Sequence, residues 1–347
     1  MTTPSNHRRL AQAAALTAAL TAALVALLSG CGGGGGDSGG TGGPPPLSDA
    51  LILTTANYTT AAQEALASAF FLGEAGSLAT AAQTSQGTAI AQRAIDTLRR
   101  VTPRLTVRPP VATGVTVSET LPCTDGGNLR ATIDDVNGNG DIDAGDSVAV
   151  VANACVEGAD TLNGRITARF VALSGNLASD VFNATMTITL DQFSVAGAAG
   201  STIGNGQMQV AIASTAANTA TSTLTVSQLT TTQRFGSVTS TSTLSNARLQ
   251  EATRPNGTAG FTTSTSVDGS FSSTSLESKS LTLATVTPFV QASTAAYPAS
   301  GQATLSGGAG SKVRMTAQNS STVLIELDSD GNGTYETSTT RTWESLI

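Results

Sequence analysis

The pattern of hydrophobic and polar positions changes once along this chain, close to Pro103. Between residues 48 and 101, apolar side chains recur with helical spacing, and Ile90, Ala94 and Leu98 lie one turn apart. This region therefore predicts amphipathic helices that bury one face.

Two sequence features predict where helices begin and end in this region. Thr60, with Gln63 three residues later, predicts a capping box at the start of the first helix. Gly73 and Gly76 interrupt the apolar pattern, so we expect two helices rather than one.

After Pro103, apolar and polar residues alternate with period two, as where Met186, Ile188 and Leu190 alternate with threonines. Such runs predict half-buried strands, because neighbouring side chains of a strand point to opposite faces of the sheet. The predicted strands cover residues 129–133, 147–151, 161–173, 185–190, 207–212, 221–229, 236–244, 259–271, 276–286, 312–317, 322–327 and 334–343.

Turn residues separate these strands at short intervals, without helix-length insertions, so consecutive strands are expected to pair antiparallel. The sequence therefore predicts a mainly β (α+β) fold. It consists of a large antiparallel, meandering β-sheet or open barrel with a short N-terminal helical segment. The expected boundaries are residues 47–104 for the helical segment and 105–347 for the β domain.

The first 30 residues are organised like a secretory signal, because Arg8 and Arg9 precede a long uncharged run rich in Ala and Leu. The run ends in Leu28-Ser29-Gly30-Cys31. This ending resembles the lipobox of bacterial lipoproteins. The resemblance implies that residues 1–30 are removed as a lipoprotein signal peptide and that Cys31 is lipidated and becomes the first residue.

Membrane attachment follows from that resemblance, since two or more acyl chains anchor a protein stably without a membrane span. Gly32 stands where, by family analogy, an Asp would favour the inner membrane, so the outer membrane is the expected location. Residues 31–46 continue as a Gly-rich stretch that ends in three prolines, which is typical of a flexible tether with a stiffer last step.

The charge and composition of the chain exclude several classes of protein function. The chain has 347 residues and a net charge of −7, and loss of Arg8 and Arg9 with the signal would make it −9. Such a chain is a poor partner for nucleic acid. Its single histidine, His7, lies in the segment expected to be removed, which excludes Ser-His-Asp, Cys-His and His-metal mechanisms.

Residues 135–146 hold the most informative motif. Oxygen-bearing side chains stand at positions 1, 3, 5, 9 and 12 of this stretch, glycine at 6 and isoleucine at 8. This spacing suits a hard cation, which takes about six to eight oxygens and requires a short loop to curl around it. The candidate calcium ligands are Asp135, Asn137, Asn139, Asp141, Asp143 and Asp146.

This motif resembles the dockerin-type variant of the EF-hand loop, which ends in Asp instead of a bidentate Glu. The resemblance covers these twelve residues alone, and the flanks at 129–133 and 147–151 predict strands rather than helices. A polar turn between two strands is the alternative, because turns also favour Asp, Asn and Gly.

A second stretch, residues 328–336, repeats positions 1, 3, 5, 6 and 9 of the pattern, but Thr339 stands where a closing carboxylate is expected. This stretch is consistent both with a second calcium site and with a hairpin turn that binds no ion. The candidate ligands are Asp328, Asp330, Asn332, Thr334 and Glu336.

Two cysteines remain once Cys31 is lipidated, in a compartment that oxidises thiols. If Asp134 faces Ser147 across the first motif, Cys123 and Cys155 meet near the base of the same hairpin. We therefore expect them to form a disulfide.

For catalysis we find no distinctive motif, and we expect a non-enzymatic structural or binding module with structural calcium and a protein or glycan partner. A periplasmic lipid or lipoprotein carrier, with a curved sheet around an apolar cavity, is one alternative. A carbohydrate-active enzyme is another, using a carboxylate pair such as Asp180 and Asp191. Trp343 suits either sugar stacking or a core position.

Overall fold

A computed structural model gives the fold of the chain. It describes residues 49–73, 90–105, 115–175, 181–198, 200–257 and 260–346. Leu47–Ile347 forms one compact unit. Cys31, the expected signal segment and the expected tether lie outside the described residues. Among the helices that are described, none has both the length and the apolar character needed to cross a membrane.

A single antiparallel sheet of fourteen strands dominates the molecule. Each strand pairs with its neighbours along the chain, and the sheet is not closed, so the predicted mainly β, meandering fold is confirmed. The strands are β1 (Val115–Pro122), β2 (Gly126–Asp135), β3 (Ser147–Glu157), β4 (Asp160–Gly175), β5 (Phe182–Gly197), β6 (Gly200–Ala216), β7 (Thr219–Phe235), β8 (Val238–Asn256), β9 (Gly260–Ser273), β10 (Ser280–Ala292), β11 (Ser300–Ser306), β12 (Lys312–Asn319), β13 (Thr322–Asp328) and β14 (Thr337–Thr342).

Two helices precede the sheet, α1 (Tyr58–Gly73) and α2 (Ile90–Leu105). The predicted capping box is wrong, because α1 begins at Tyr58 and Thr60 already lies inside the helix. Asn57 organises the start instead: its Oδ1 accepts the Thr54 N–H at 2.8 Å, and the Tyr58 N–H donates to the Thr54 carbonyl at 3.0 Å.

Residues 49–53, here called the N-terminal strap, are extended rather than helical. The Leu51 N–H donates to the carbonyl of Ser280 at the start of β10, and the Ser280 N–H donates to the Asp49 carbonyl. The Gly308 N–H, in the turn between β11 and β12, donates to the Leu51 carbonyl at 2.8 Å. The Leu53 N–H donates to Ser311 Oγ at 2.9 Å. The chain is therefore fixed to the sheet before α1 begins.

The strap fits closely because the turn beneath it is made of glycine. A Cβ at Gly307 would lie 2.3 Å from the Leu51 carbonyl oxygen, and one at Gly308 would lie 2.8 Å from the Ala50 carbonyl oxygen. Any larger residue would displace the strap from its hydrogen bonds.

One face of the sheet, called the inner face, packs on the helices: α2 against β1, β3, β5 and β6, and α1 against β8, β9, β12 and β13. Along β5, Met186, Ile188 and Leu190 are buried, whereas Thr187 and Thr189 are partly exposed. The apolar positions of the alternating pattern therefore form the core, and hydroxyl side chains occupy much of the other face.

Two bulges explain why β5 and β8 run further than the pattern predicts. In β5 the buried residues Leu190 and Phe193 are three positions apart instead of two. Gln192, between them, has φ 48° and lies beside a register shift. In β8 the buried residues Leu244 and Ala247 are likewise three positions apart, and Asn246 between them has φ 49°. Each bulge adds a residue and reverses the alternation, so the sequence pattern breaks while the strand continues.

Candidate functional site

The first acidic loop, residues 135–146, joins β2 to β3. Asp134 pairs with Ser147 at its base, so the predicted register is confirmed. Ile142, at position 8, is 7% exposed and belongs to the hydrophobic core. The loop therefore rests on the sheet through one apolar side chain while its polar side chains organise the turn.

Asp135 holds the first half of this loop. Its Oδ1 accepts the Gly138 N–H at 2.6 Å, and its Oδ2 accepts the Gly140 N–H at 2.8 Å. Both glycines have positive φ, at 71° and 82°, which other residues adopt with strain. Asn137 Oδ1 then accepts the Asn139 N–H, and Asn139 Oδ1 accepts the Asp141 N–H.

Asp146 closes the loop from position 12. Its side chain is fully buried, Oδ1 accepts the Val136 N–H, and Oδ2 accepts the Asp143 N–H, both at 2.9 Å. Burial raises the pKa of the Asp146 carboxyl above its usual range. The two backbone bonds lower this pKa, and the charges of Asp143 and Asp135 raise it. Burial therefore disfavours the ionised form of the Asp146 carboxyl.

Asp143 accepts hydrogen bonds from the side-chain amides of both asparagines in the first acidic loop. Its Oδ2 accepts Asn137 Nδ2 at 2.8 Å and Asn139 Nδ2 at 2.7 Å. The loop thus brings the side chains of Asn137, Asn139 and Asp143 together, while Asp135 and Asp146 bind its backbone N–H groups. Among the described residues, the carboxylates of this loop do not form a group of three within 4.8 Å of one another. Asp141, at position 7, enters this hydrogen-bond network through its backbone N–H.

The second acidic loop, residues 328–336, joins β13 to β14 and repeats that network. Asp328 accepts the Gly331 N–H at 2.8 Å and the Gly333 N–H at 2.9 Å. Asp330 Oδ1 accepts the Asn332 N–H, and Asn332 Oδ1 accepts the Thr334 N–H. Positions 1, 3 and 5 therefore hold the same backbone amides in both loops.

Glu336 supplies the closing carboxylate that the second motif was expected to lack. Its Oε2 accepts the N–H of Ser329, at position 2, as Asp146 accepts the N–H of position 2 in the first loop. Carboxylate oxygens of Asp328, Asp330 and Glu336 all lie within 4.8 Å of one another. The longer glutamate at position 9 thus takes the role that the sequence pattern assigns to position 12.

Arg314, Glu326 and Gly310, which lie outside residues 328–336, support the second loop, and no sequence motif indicates this support. The Tyr335 ring lies 4.0 Å from the Arg314 guanidinium carbon, and Arg314 forms a two-point ion pair with Glu326. These contacts with Glu326 raise the pKa of Arg314. A Cβ on Gly331 would lie 2.7 Å from the Gly310 carbonyl oxygen, so the loop also packs on the β11–β12 turn.

The two acidic loops lie at opposite ends of the strands, one at each of the two rows of turns that border the sheet. In an antiparallel meander, turns after odd-numbered strands gather at one end and turns after even-numbered strands at the other. The first loop follows β2 and the second follows β13. The β11–β12 turn that holds the N-terminal strap shares its end with the second loop.

Cys123 and Cys155 form a disulfide with Cα atoms 5.4 Å apart, and both side chains are buried. Beside it, Glu157 accepts the Thr124 hydroxyl at 2.7 Å and forms an ion pair with Arg100 of α2. Burial raises the pKa of Glu157, but the hydrogen bonds from Thr124 and Arg100 outweigh it, so this pKa lies below its usual range. The bridge therefore lies where α2 attaches to the sheet.

The remaining candidate residues, Asp180, Asp191 and Trp343, do not belong to the two acidic loops. Asp180 lies outside the described residues, while Asp191 stands opposite Arg165 in the β4–β5 pair. Trp343 is fully buried and stacks on Tyr297, so it occupies the core position and offers no face to a sugar.

Two of the cavities lined by described residues bear on the carrier hypothesis. A trough of about 400 Å³ lies over β4 to β7 at residues 172–174, 183–185, 211–213 and 221–223. A space of about 10 Å³ between α2 and the inner face, lined by Leu98, Phe170 and Met186 among others, has room for a single water at most.

No protein-family model, curated protein or solved structure matches this chain.

Proposed function

We propose that this chain is a lipid-anchored protein of the cell envelope, held at the outer membrane through Cys31. In this proposal it is a non-enzymatic structural or binding module whose two acidic loops bind calcium and are stabilised by it. Its partners are the membrane and a protein or glycan.

The observation that supports calcium is the shared network of the two loops. Their sequences differ at several positions and they lie at opposite ends of the sheet, yet both hold the amides of positions 2, 4, 5, 6 and 7 with the same pattern of side-chain oxygens. In the second loop three carboxylates converge, and in the first a buried carboxylate has a raised pKa. A divalent cation would offset the repulsion among the three carboxylates of the second loop and the burial of the Asp146 carboxylate in the first.

Calcium is expected to raise the thermal stability of Leu47–Ile347. Binding to the folded state alone contributes RT ln(1 + [L]/Kd), which is about 2.7 kcal/mol at a hundredfold excess over Kd. The measurement is a melt in calcium and then in chelator, for the wild type and for Asp135→Asn and Asp328→Asn. Each variant should lose part of the calcium-dependent rise. In chelator each should also melt below the wild type, because the Asn amide group replaces one of the two oxygens that accept buried backbone N–H groups, so the calcium effect is read as the difference between the two melts of the same variant.

Asp134→Asn is the matched control, since Asp134 is exposed, adjoins Asp135 and lies outside both motifs. It removes the same charge and should leave the calcium-dependent rise intact. A wild-type melt that does not change at millimolar calcium would reduce both loops to hairpin turns.

Cys31→Ser is expected to abolish the incorporation of labelled palmitate into the full chain, because the thiol that would carry the lipid is lost. Metabolic labelling and immunoprecipitation measure the incorporation, with Ser29→Ala as a control that retains the cysteine. Label that persists in the Cys31→Ser chain would contradict lipidation at this residue.

The carrier is the second proposal, supported by an open sheet that packs two helices on one face. An acyl chain would need α2 to move, since the space beneath it is about 10 Å³. Lipid that co-purifies with the full chain would favour this function over the structural one. The carboxylate enzyme is a third candidate, and no specific observation favours it.

A further inference from the structure

Six asparagines of this chain are followed directly by glycine, the residue that hinders a reaction at its own backbone nitrogen least. They are Asn137, Asn139, Asn163, Asn205, Asn256 and Asn332. We propose that Asn256 is the site at which this chain deamidates spontaneously, and that Asp135 and Asp328 protect the asparagines of the acidic loops from the same reaction.

Deamidation begins when the backbone nitrogen of the following residue attacks Cγ, the side-chain carbonyl carbon of asparagine. The nitrogen loses its proton and forms a C–N bond, while Nδ2 gains a proton and leaves as ammonia. Water then opens the five-membered ring, which yields aspartate or isoaspartate. The reaction therefore needs an accessible backbone nitrogen and an asparagine side chain that can rotate towards it.

In the acidic loops the attacking nitrogens are already hydrogen-bonded. The N–H groups of Gly138 and Gly140 donate to the two carboxylate oxygens of Asp135, at 2.6 and 2.8 Å. The Gly333 N–H donates to Asp328 Oδ2 at 2.9 Å. Both acceptors are buried. Loss of the proton would leave an anionic nitrogen against a carboxylate, which charge repulsion disfavours. The hydrogen bond therefore has to break before the nitrogen can attack.

The asparagine side chains of the loops are held as well. Oδ1 of each accepts the N–H of the residue two positions further along. Nδ2 of Asn137 and of Asn139 donates to Asp143, and Nδ2 of Asn332 donates to Asp330. All three asparagines are exposed, so solvent access alone does not protect them. Their amide groups are fixed from both ends and cannot turn Cγ towards the following nitrogen.

Two further asparagines lie inside β4 and β6, with a neighbouring strand on each side. Asn163 Oδ1 accepts the Ala154 N–H, and Asn205 Oδ1 accepts the Gln192 N–H, both at 2.8 Å. Each bond fixes the amide group to a neighbouring strand. Strand pairing on both sides also restricts the backbone, so we expect both asparagines to react slowly.

Asn256 has a different setting. It ends β8, and both it and Gly257 are exposed at the turn to β9. Gly257 has φ 67°, a conformation that glycine adopts without strain. Within the part of the chain that the structure describes, no hydrogen bond holds the Asn256 side chain. Both requirements of the reaction are therefore met at this turn.

The test follows all six asparagines of the full chain during incubation at mildly alkaline pH, with chelator present. Peptide mapping by mass spectrometry detects each change from amide to carboxyl. Digestion in heavy-oxygen water marks any deamidation that occurs during the digestion itself. Asn256 should convert first, and the loop asparagines roughly tenfold or more slowly, because a hydrogen bond to a carboxylate has to break. Asn256→Gln should abolish the early conversion, since the longer side chain closes a ring less readily.

Replacing the aspartate at position 1 tests the protection in one loop at a time. Asp135→Ala should raise the conversion of both asparagines of the first loop towards the rate of Asn256 and leave the asparagine of the second loop slow. Asp328→Ala should do the reverse. Asp134→Ala is the matched control, because Asp134 is exposed, adjoins Asp135 and should change neither loop.

Three outcomes would overturn the proposal. They are a slow Asn256, wild-type loop asparagines that convert as fast as Asn256, and a single variant in which both loops speed up together. In the last case the protection would come from the fold as a whole. Because the assay contains chelator and reads a change of mass, its outcome does not depend on whether the loops bind calcium.

Discussion

Trp343→Ala is expected to lower the free energy of unfolding by about 3–5 kcal/mol, the range for removing a large aromatic side chain from a packed core. Trp343 is fully buried just after β14. Its ring stacks on Tyr297 and meets Phe289 edge-on, each with centroids 6.1 Å apart. Its Nε1 also donates to the Asn319 carbonyl at 3.2 Å. Urea unfolding followed by circular dichroism measures the loss.

Glu344→Ala is the matched control, because Glu344 is adjacent but exposed, and its loss should be within about 0.5 kcal/mol of zero. Trp343→Phe should fall between the two, since it keeps an aromatic ring and loses the indole N–H. A Trp343→Ala loss below about 1 kcal/mol would mean that the C-terminal residues contribute little to the fold.

Removing the disulfide is expected to cost about 3–4 kcal/mol. Cys123 and Cys155 are 32 residues apart, and a bridge over that span restricts the unfolded chain by this amount in the chain-entropy model. The double variant Cys123→Ser with Cys155→Ser isolates the effect, because neither thiol remains to form other bridges. Unfolding in urea, with and without reductant, gives the difference.

Reductant should lower the stability of the wild type towards that of the double variant and leave the double variant unchanged. Thr132→Ser in β2 is a control on the same hairpin, with an exposed hydroxyl that changes neither the loop nor the bridge. If the double variant unfolds at the wild-type urea concentration, the ion pair of Glu157 with Arg100 and the strand register hold this hairpin without the bridge.

Much of the sheet could be predicted because each strand alternates and pairs with its neighbour in the chain. The strands that the pattern missed are β1 and β11. In β11 the inner residues include Ala303, whose methyl group gives a weak signal, and Leu305 is the one large apolar side chain. In β1 one inner position is Glu119, so a charged side chain breaks the alternation of apolar and polar residues.

The first acidic loop could be predicted from its spacing, because each of its closing contacts arises within twelve residues. The second could be predicted in part. Spacing identified Asp328, Asp330 and Asn332, but which carboxylate closes the loop depends on the reach of a longer side chain at Glu336. The support from Arg314 and Gly310 comes from other hairpins, which a local pattern does not include.

The meander has a consequence for the order of folding. Every strand pairing joins chain neighbours, so the sheet has low contact order and can form hairpin by hairpin. The strap and α1 behave differently, because Leu53 bonds to Ser311, 258 residues away, and α1 packs on β12 and β13. The strap and α1 precede the sheet in the chain, yet they are thus among the last elements to dock. A chain cut short before β11 would keep its hairpins but leave the apolar face beneath α1 uncovered. Synthesis of β11 to β13 is therefore the step after which the molecule is protected from proteolysis at this face.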